Sequence, residues 1–262
     1  MAETPEIAST PPLWSLAVIL PMVLLFSAIA SLGWHSAAAA LGLSRALTSK
    51  AAFTLIETLG ILLPALGLGQ IFKADPEATF PMKRVGAQAV LAAIAATLGL
   101  STLLTYLQDV YQKAFGFPYP ESLIEILTIH TPLDAVLLVA GVVLAAALCE
   151  EVLFRGYCQS ALQARFGPWV AILLTALLFA AFHLEPAGLP TYLLLGAWLG
   201  WLRHAGGSLR LPILAHATNN LLALVQVNIL GEAFWTANML LILPGGLLLA
   251  SVGAFHLHRM PR

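Results

Sequence analysis

Charge is what this sequence lacks most. Only 10% of its 262 residues are Asp, Glu, Lys or Arg, while 60% are hydrophobic. A soluble domain carries about 25% charged residues. The shortage excludes a water-soluble globule and indicates a chain that crosses a membrane repeatedly. The formal net charge is −1, so no basic field is present to attract nucleic acid. Cysteine is almost absent. Cys149 and Cys158 stand nine residues apart, on opposite faces of one helix, so two free thiols and no disulfide are expected. No repeat, low-complexity tract or soluble domain interrupts the chain, which reads as a single integral membrane domain, 1–262.

Other absences narrow the chemistry. There is no Gly-x-Ser-x-Gly, so no nucleophile elbow. There is no His-Glu-x-x-His, the pattern that sets two zinc ligands on one helical turn. The aspartates are Asp75, Asp109 and Asp134, none deep in an apolar run, which excludes an aspartyl dyad. Nor is there an internal repeat of the inverted kind that carriers use.

What is present is length in the apolar runs. Eight spans approach the roughly 20 residues a helix needs to cross a bilayer: 13–32, 52–72, 86–107, 134–154, 168–189, 191–202, 211–230 and 233–255. The sixth is the shortest. The expected fold is all-α, a polytopic bundle of about eight transmembrane helices. Pro21, Pro64 and Pro244 fall inside spans, where packing in a bundle tolerates them. The mixed segment 108–131, with Tyr111, Tyr119 and two prolines, suits an interfacial helix and loop. The first twelve residues contain Glu3 and Glu6 but no Lys or Arg, and the run after them is long. A retained span is expected there rather than a cleaved signal, although the alanines at 37–40 mimic a cleavage site.

Orientation follows from Lys and Arg. Lys73, Lys83, Arg84, Arg155, Arg165, Arg203, Arg210, Arg259 and Arg262 fall on one side, against Arg45, Lys50 and Lys113 on the other. Both termini are therefore expected in the cytoplasm, with the Glu150 end of the fourth span in the cytoplasmic half of the membrane.

Against this apolar background the polar residues stand out. The uncharged run 135–148 ends in Cys149-Glu150-Glu151-Val152-Leu153-Phe154-Arg155. A charge at the centre of a bilayer helix costs about 2.5–3.5 kcal/mol on insertion scales. Glu151 and Arg155 are i,i+4 and can pair. Glu150 is turned about 100° away and has no local partner. The helix is expected to continue as an amphipathic extension to Arg165 and to break at Phe166-Gly167-Pro168. Folding back at that break sets position 150 level with position 183, each roughly 24 Å of helix from the turn. Residue 183 is a histidine, four residues after Phe179. In the seventh span, His216 and Asn220 share a face, with Asn219 as an alternative neighbour. Taken singly, a buried His is a packing residue, a Glu-Glu pair an interfacial helix end, and an Asn interhelical glue. Together they are few polar groups at compatible depths on three helices, which favours function. Glu57, six residues into the second span, reads equally as a helix-end carboxylate reaching water or as part of a site.

The set suits hydrolysis. Glu150 can take a proton from water as general base, with His183 holding that water. His216 and Asn220 can donate to the oxyanion of a tetrahedral intermediate. Glu151 paired to Arg155 would fix the helix and the direction of Glu150. The same atoms, Glu150, His183 and His216, form a recognised zinc set. Asn is a poor zinc ligand and a good oxyanion donor, so a metal-free site is the first expectation and zinc the alternative.

The motifs Glu150-Glu151-x-x-x-Arg155, Phe179-x-x-x-His183 and His216-x-x-x-Asn220 resemble those of the CPBP family, which includes type II (Ras-converting) CAAX prenyl endopeptidases, Abi proteins and bacteriocin-processing proteins. The resemblance covers about 134–222, expected as the catalytic core. It implies an all-helical intramembrane endopeptidase in which Glu150 activates water with His183, His216 and Asn220 form the oxyanion site, and Glu151 and Arg155 support them. It implies a membrane-associated peptide or protein as substrate, of which lipidated CAAX-like chains are one form. The short loops look prokaryotic and suggest a plasma-membrane enzyme. Two other readings use the same residues: a non-catalytic peptide-binding or bacteriocin-immunity protein, and a proton-coupled carrier.

Overall fold

In a computed structural model, residues 9–118 and 121–259 are described. Glu3, Glu6, Tyr119 and Arg262 lie outside them. The described residues are helical and contain no strand. The chain is an all-α polytopic membrane protein.

Ten helices follow in order: α1, Leu16–Ala40; α2, Arg45–Ile71; the single turn α3, Pro76–Thr79; α4, Ala87–Phe115; the short α5, Glu121–Leu127; α6, Pro132–Phe166; α7, Pro168–Phe182; α8, Leu189–Gly206; α9, Arg210–Leu230; and α10, Gly231–His258. All eight apolar spans fall on helices. Among the described residues five helices are long and apolar enough to cross a membrane (α1, with its preceding 3-10 turn from Leu13, α2, α4, α6 and α9), while Pro168–Phe182 and Ile242–Leu257 are shorter apolar helices. The alanines at 37–40 form the last turn of α1. The fifth span ends earlier than its hydropathy suggests. Helix α7 stops at Phe182 with His183 as its C-cap. Leu184 then takes a positive φ of 51°, Glu185 is extended as the residue before a proline is driven to be, and Pro186 opens a 3-10 turn.

The long α6 is the central helix. Its first turn is closed by a capping box, with Thr131 accepting from the backbone N–H of Asp134 and Asp134 accepting from that of Thr131. Every residue from 151 to 162 is buried, so this stretch has no face left for lipid or water. Phe166 is followed by Gly167 at φ 77°, and Pro168 starts α7, which is the expected break. Cys149, Val152, Leu153, Phe154, Tyr157 and Cys158 of α6 share a core with Ile19 and Val23 of α1, Ile61, Ala65 and Leu68 of α2, and Phe179 of α7. Both cysteines are free thiols. A second core joins α4, α8, α9 and α10 through Ala93, Leu104, Leu199, Leu211, Ala215 and Leu257.

Two devices hold α8 against α6. Arg155 Nη2 donates to the Gly196 carbonyl at 2.9 Å, and one turn later Gln159 Nε2 donates to the Gly200 carbonyl at 3.1 Å. Gly196 and Gly200 carry no side chain, which lets α8 close on α7 as well. A Cβ on Gly196 would lie 3.1 Å from Ala176 Cα, and one on Gly200 would lie 3.2 Å from Gln159 Oε1. This is the small-x-x-x-small packing typical of membrane helices.

Candidate active site

Helices interrupted by π turns carry the site. Such insertions often mark functional positions. One, Ile56–Leu62, holds Glu57. A second, Val139–Ala145, holds Val142, and a third, Val152–Cys158, holds Arg155. Glu150 and Glu151 lie on the short α-helical stretch Ala146–Glu151 between the last two.

Glu151 and Arg155 pair as the i,i+4 spacing predicts, with Arg155 Nη1 2.7 Å from Glu151 Oε1 and both side chains fully buried. The same Glu151 oxygen takes a second partner from another helix, His216 Nδ1 at 2.9 Å. His216 is 3% exposed. Arg155, Glu151 and His216 thus form one buried chain of hydrogen bonds across α6 and α9. The guanidinium of Arg155 also stacks over the Phe179 ring, 4.5 Å from its centroid.

Phe179 sits at the centre. Its ring meets His183 at 4.7 Å and His216 at 5.8 Å between centroids, both edge-on, and Phe154 at 5.3 Å. Phe154 also meets Phe182, 5.6 Å between centroids, so the end of α7 that carries His183 packs on α6 near Glu150. His183 Nδ1 lies 2.8 Å from the Phe179 carbonyl. A carbonyl only accepts, so Nδ1 carries the proton and Nε2 is left as an acceptor. The imidazole stacks on Tyr192 of α8, 3.9 Å between centroids and 22° between planes.

Asn220 donates from Nδ2 to the Val142 carbonyl at 2.8 Å. Asn219 donates to Asn220 Oδ1 at 3.1 Å and accepts from Ser101 of α4 at 2.8 Å. The adjacent amides therefore divide the work. Asn219 anchors α9 to α4, and Asn220 faces α6 with one amide proton uncommitted.

Glu150 is half-buried. Its Oε2 is buried without a hydrogen-bond partner. Glu57, for which a helix end reaching water was one reading, is 8% exposed, and its Oε2 is likewise buried and unpartnered. Sequence reasoning also passed over Tyr192, the Val142 carbonyl and the Gly196 carbonyl. Only the last had a visible signal, the Gly196-x-x-x-Gly200 spacing.

Glu150, His183 and His216 are the residues that zinc would need. Among the described residues no three His, Cys, Asp or Glu side chains form a metal-holding group. His216 and His183 each engage only Nδ1, and no step is routed through a metal.

Fold and site together define a membrane-embedded helical protein with a buried Glu, Arg and His network beside a second, unpaired Glu. Residues 132–222 match the model of the type II CAAX prenyl endopeptidase Rce1-like family. That family is one of proteases, and the match supports a peptidase of the intramembrane CAAX type in general. The resemblance carried by the three motifs holds over that segment. No curated protein and no solved structure matches the chain.

Proposed function

We propose that this protein is an intramembrane endopeptidase that hydrolyses a peptide bond in a membrane-associated peptide or protein, with lipidated CAAX-like chains as the first candidates. The observation that carries the reading is the buried Arg155–Glu151–His216 chain. It holds the His216 ring by Nδ1 and leaves Nε2, on the far edge, for a substrate.

Glu150 is the general base. It draws a proton from water as the water oxygen attacks the carbonyl carbon, and the carbonyl π pair moves onto oxygen. His183 orients that water by accepting a hydrogen bond at Nε2, the nitrogen left open by the bond from Nδ1 to Phe179. In its imidazolium form, with Nδ1–H held by Glu151, His216 donates from Nε2–H to the developing oxyanion, beside the second amide proton of Asn220. Collapse returns the pair from oxygen to carbon and breaks the C–N bond, and the proton on Glu150 passes to the leaving nitrogen. Glu151 and Arg155 position rather than react. The Lys and Arg distribution favours cytoplasmic termini and a site in the cytoplasmic half of the membrane, and the short loops favour a prokaryotic plasma membrane.

The test is cleavage by detergent-purified protein. Farnesylated peptides ending in a CAAX sequence, the same peptides without the lipid, and unrelated peptides are incubated with and without a chelator. Products are read by mass spectrometry. Cleavage by the wild type supports the reading, and its persistence in chelator supports glutamate-driven, metal-free chemistry. Tight binding of a peptide that is never cut transfers the site to a peptide-binding or immunity role.

A further inference from the structure

Glu57 is the buried acid that the mechanism above leaves unused, and it lies outside the segment matched by the family model. A helix that needed only to pack would carry Leu or Met at this position, because an acid inside a membrane bundle is costly. Glu57 occupies the π turn Ile56–Leu62 of α2, and that turn packs on the stretch Ala146–Glu151 that carries Glu150. The two acids are close enough to act on each other electrostatically, and both act on Cys149, the residue before Glu150. Each leaves Oε2 buried with no hydrogen-bond partner. No donor on any other side chain reaches either atom. Two carboxyl groups enclosed together satisfy both oxygens by holding one proton between them.

We propose that Glu57 is the positioning partner of Glu150, its Oε2 joined to Glu150 Oε2 through a shared proton, so that Glu150 presents its other oxygen to the attacking water. The inference rests on the hydrolytic reading for its consequence but not for the pair itself. The pair keeps one negative charge, so Glu150 remains a base. What Glu57 supplies is direction.

The first test needs no substrate. Infrared spectra of the purified full-length protein are recorded in H2O and D2O for wild type, Glu57→Leu and Glu150→Gln. The expected result is a deuterium-sensitive protonated-carboxyl band that is removed or shifted by both substitutions. A band that Glu150→Gln leaves untouched, or no such band, overturns the pair. The second test is turnover on the farnesylated CAAX peptide. Glu57→Gln keeps a donor toward Glu150, and its kcat falls no more than about tenfold, whereas Glu57→Leu loses about 100-fold in kcat with KM unchanged and no loss of thermal stability. Equal turnover by Glu57→Leu and wild type overturns the positioning role. If the wild type cleaves nothing while the band answers to both substitutions, the hydrolytic reading fails and the carboxyl pair stands.

Discussion

Glu151 does two jobs with one oxygen, and this explains why the sequence spends a second acid beside Glu150. Its Oε1 accepts from Arg155 and from His216 in a fully buried environment. The i,i+4 pairing with Arg155 was legible from spacing alone. The bond to His216 was not, because matching depths along helices says nothing of rotation about their axes. Which of two adjacent acids meets an imidazole on another helix is decided by packing around Phe179. Glu57 was illegible for the same reason: position within a span does not show whether a side chain faces lipid, water or a neighbouring helix. Replacing Glu151 with Gln leaves the Arg155 charge buried without its counter-charge. Breaking a buried pair costs about 3–5 kcal/mol. Glu151→Gln is therefore expected to lower the thermal midpoint and, by releasing His216, to reduce kcat more than KM changes. Thermal melts and steady-state kinetics on the same preparation check both.

The helices themselves were legible from hydropathy, including the break at Phe166-Gly167-Pro168. The π turns were not. A π turn adds a residue to a helix whose composition looks ordinary, and it persists because tertiary contacts stabilise it. The turns at 56–62, 139–145 and 152–158 lie beside Glu57, Val142 and Arg155, so they re-aim the residues that matter. The early stop of α7 is a related case. Apolar composition continues past Phe182, but the backbone turns at Leu184, which leaves His183 at the helix end against Tyr192. At this scale the packing of α8 against α7 and α6 is the feature most exposed to test. Gly196→Leu drives a side chain into Ala176 and Phe179 and pushes away the carbonyl that holds Arg155. The expected outcome is a folded-fraction loss and no measurable cleavage. Gly67→Leu, at a helical glycine whose Cβ direction is open, serves as the comparison and keeps both.

The molecule as a whole is not reducible to its motif-bearing segment. Residues 132–222 contain the three motifs, yet their surroundings come from elsewhere: Glu57 and the core residues of α2, Ile19 and Val23 of α1, and Ser101 of α4. A buried ion pair ties the ends of α2 and α6, with Lys50 Nζ 2.9 Å from Asp134 Oδ2 and 2.7 Å from the Thr128 carbonyl. Lys50 counted as a loop cation in the sequence, but it is 1% exposed. Lys50→Met is expected to lower the thermal midpoint, and adding Asp134→Asn to recover part of the loss, because the second change removes the stranded charge.

The central claim is that Glu150 activates water, and the most direct measurement is the single-turnover cleavage rate of Glu150→Gln against wild type on a peptide that the wild type cuts. Both proteins must first show the same elution profile and thermal midpoint. The account predicts that the Gln variant binds the peptide with unchanged affinity and yields no product above background. A Glu150→Gln enzyme that cuts at the wild-type rate would contradict it and return the chemistry of this site to a different base.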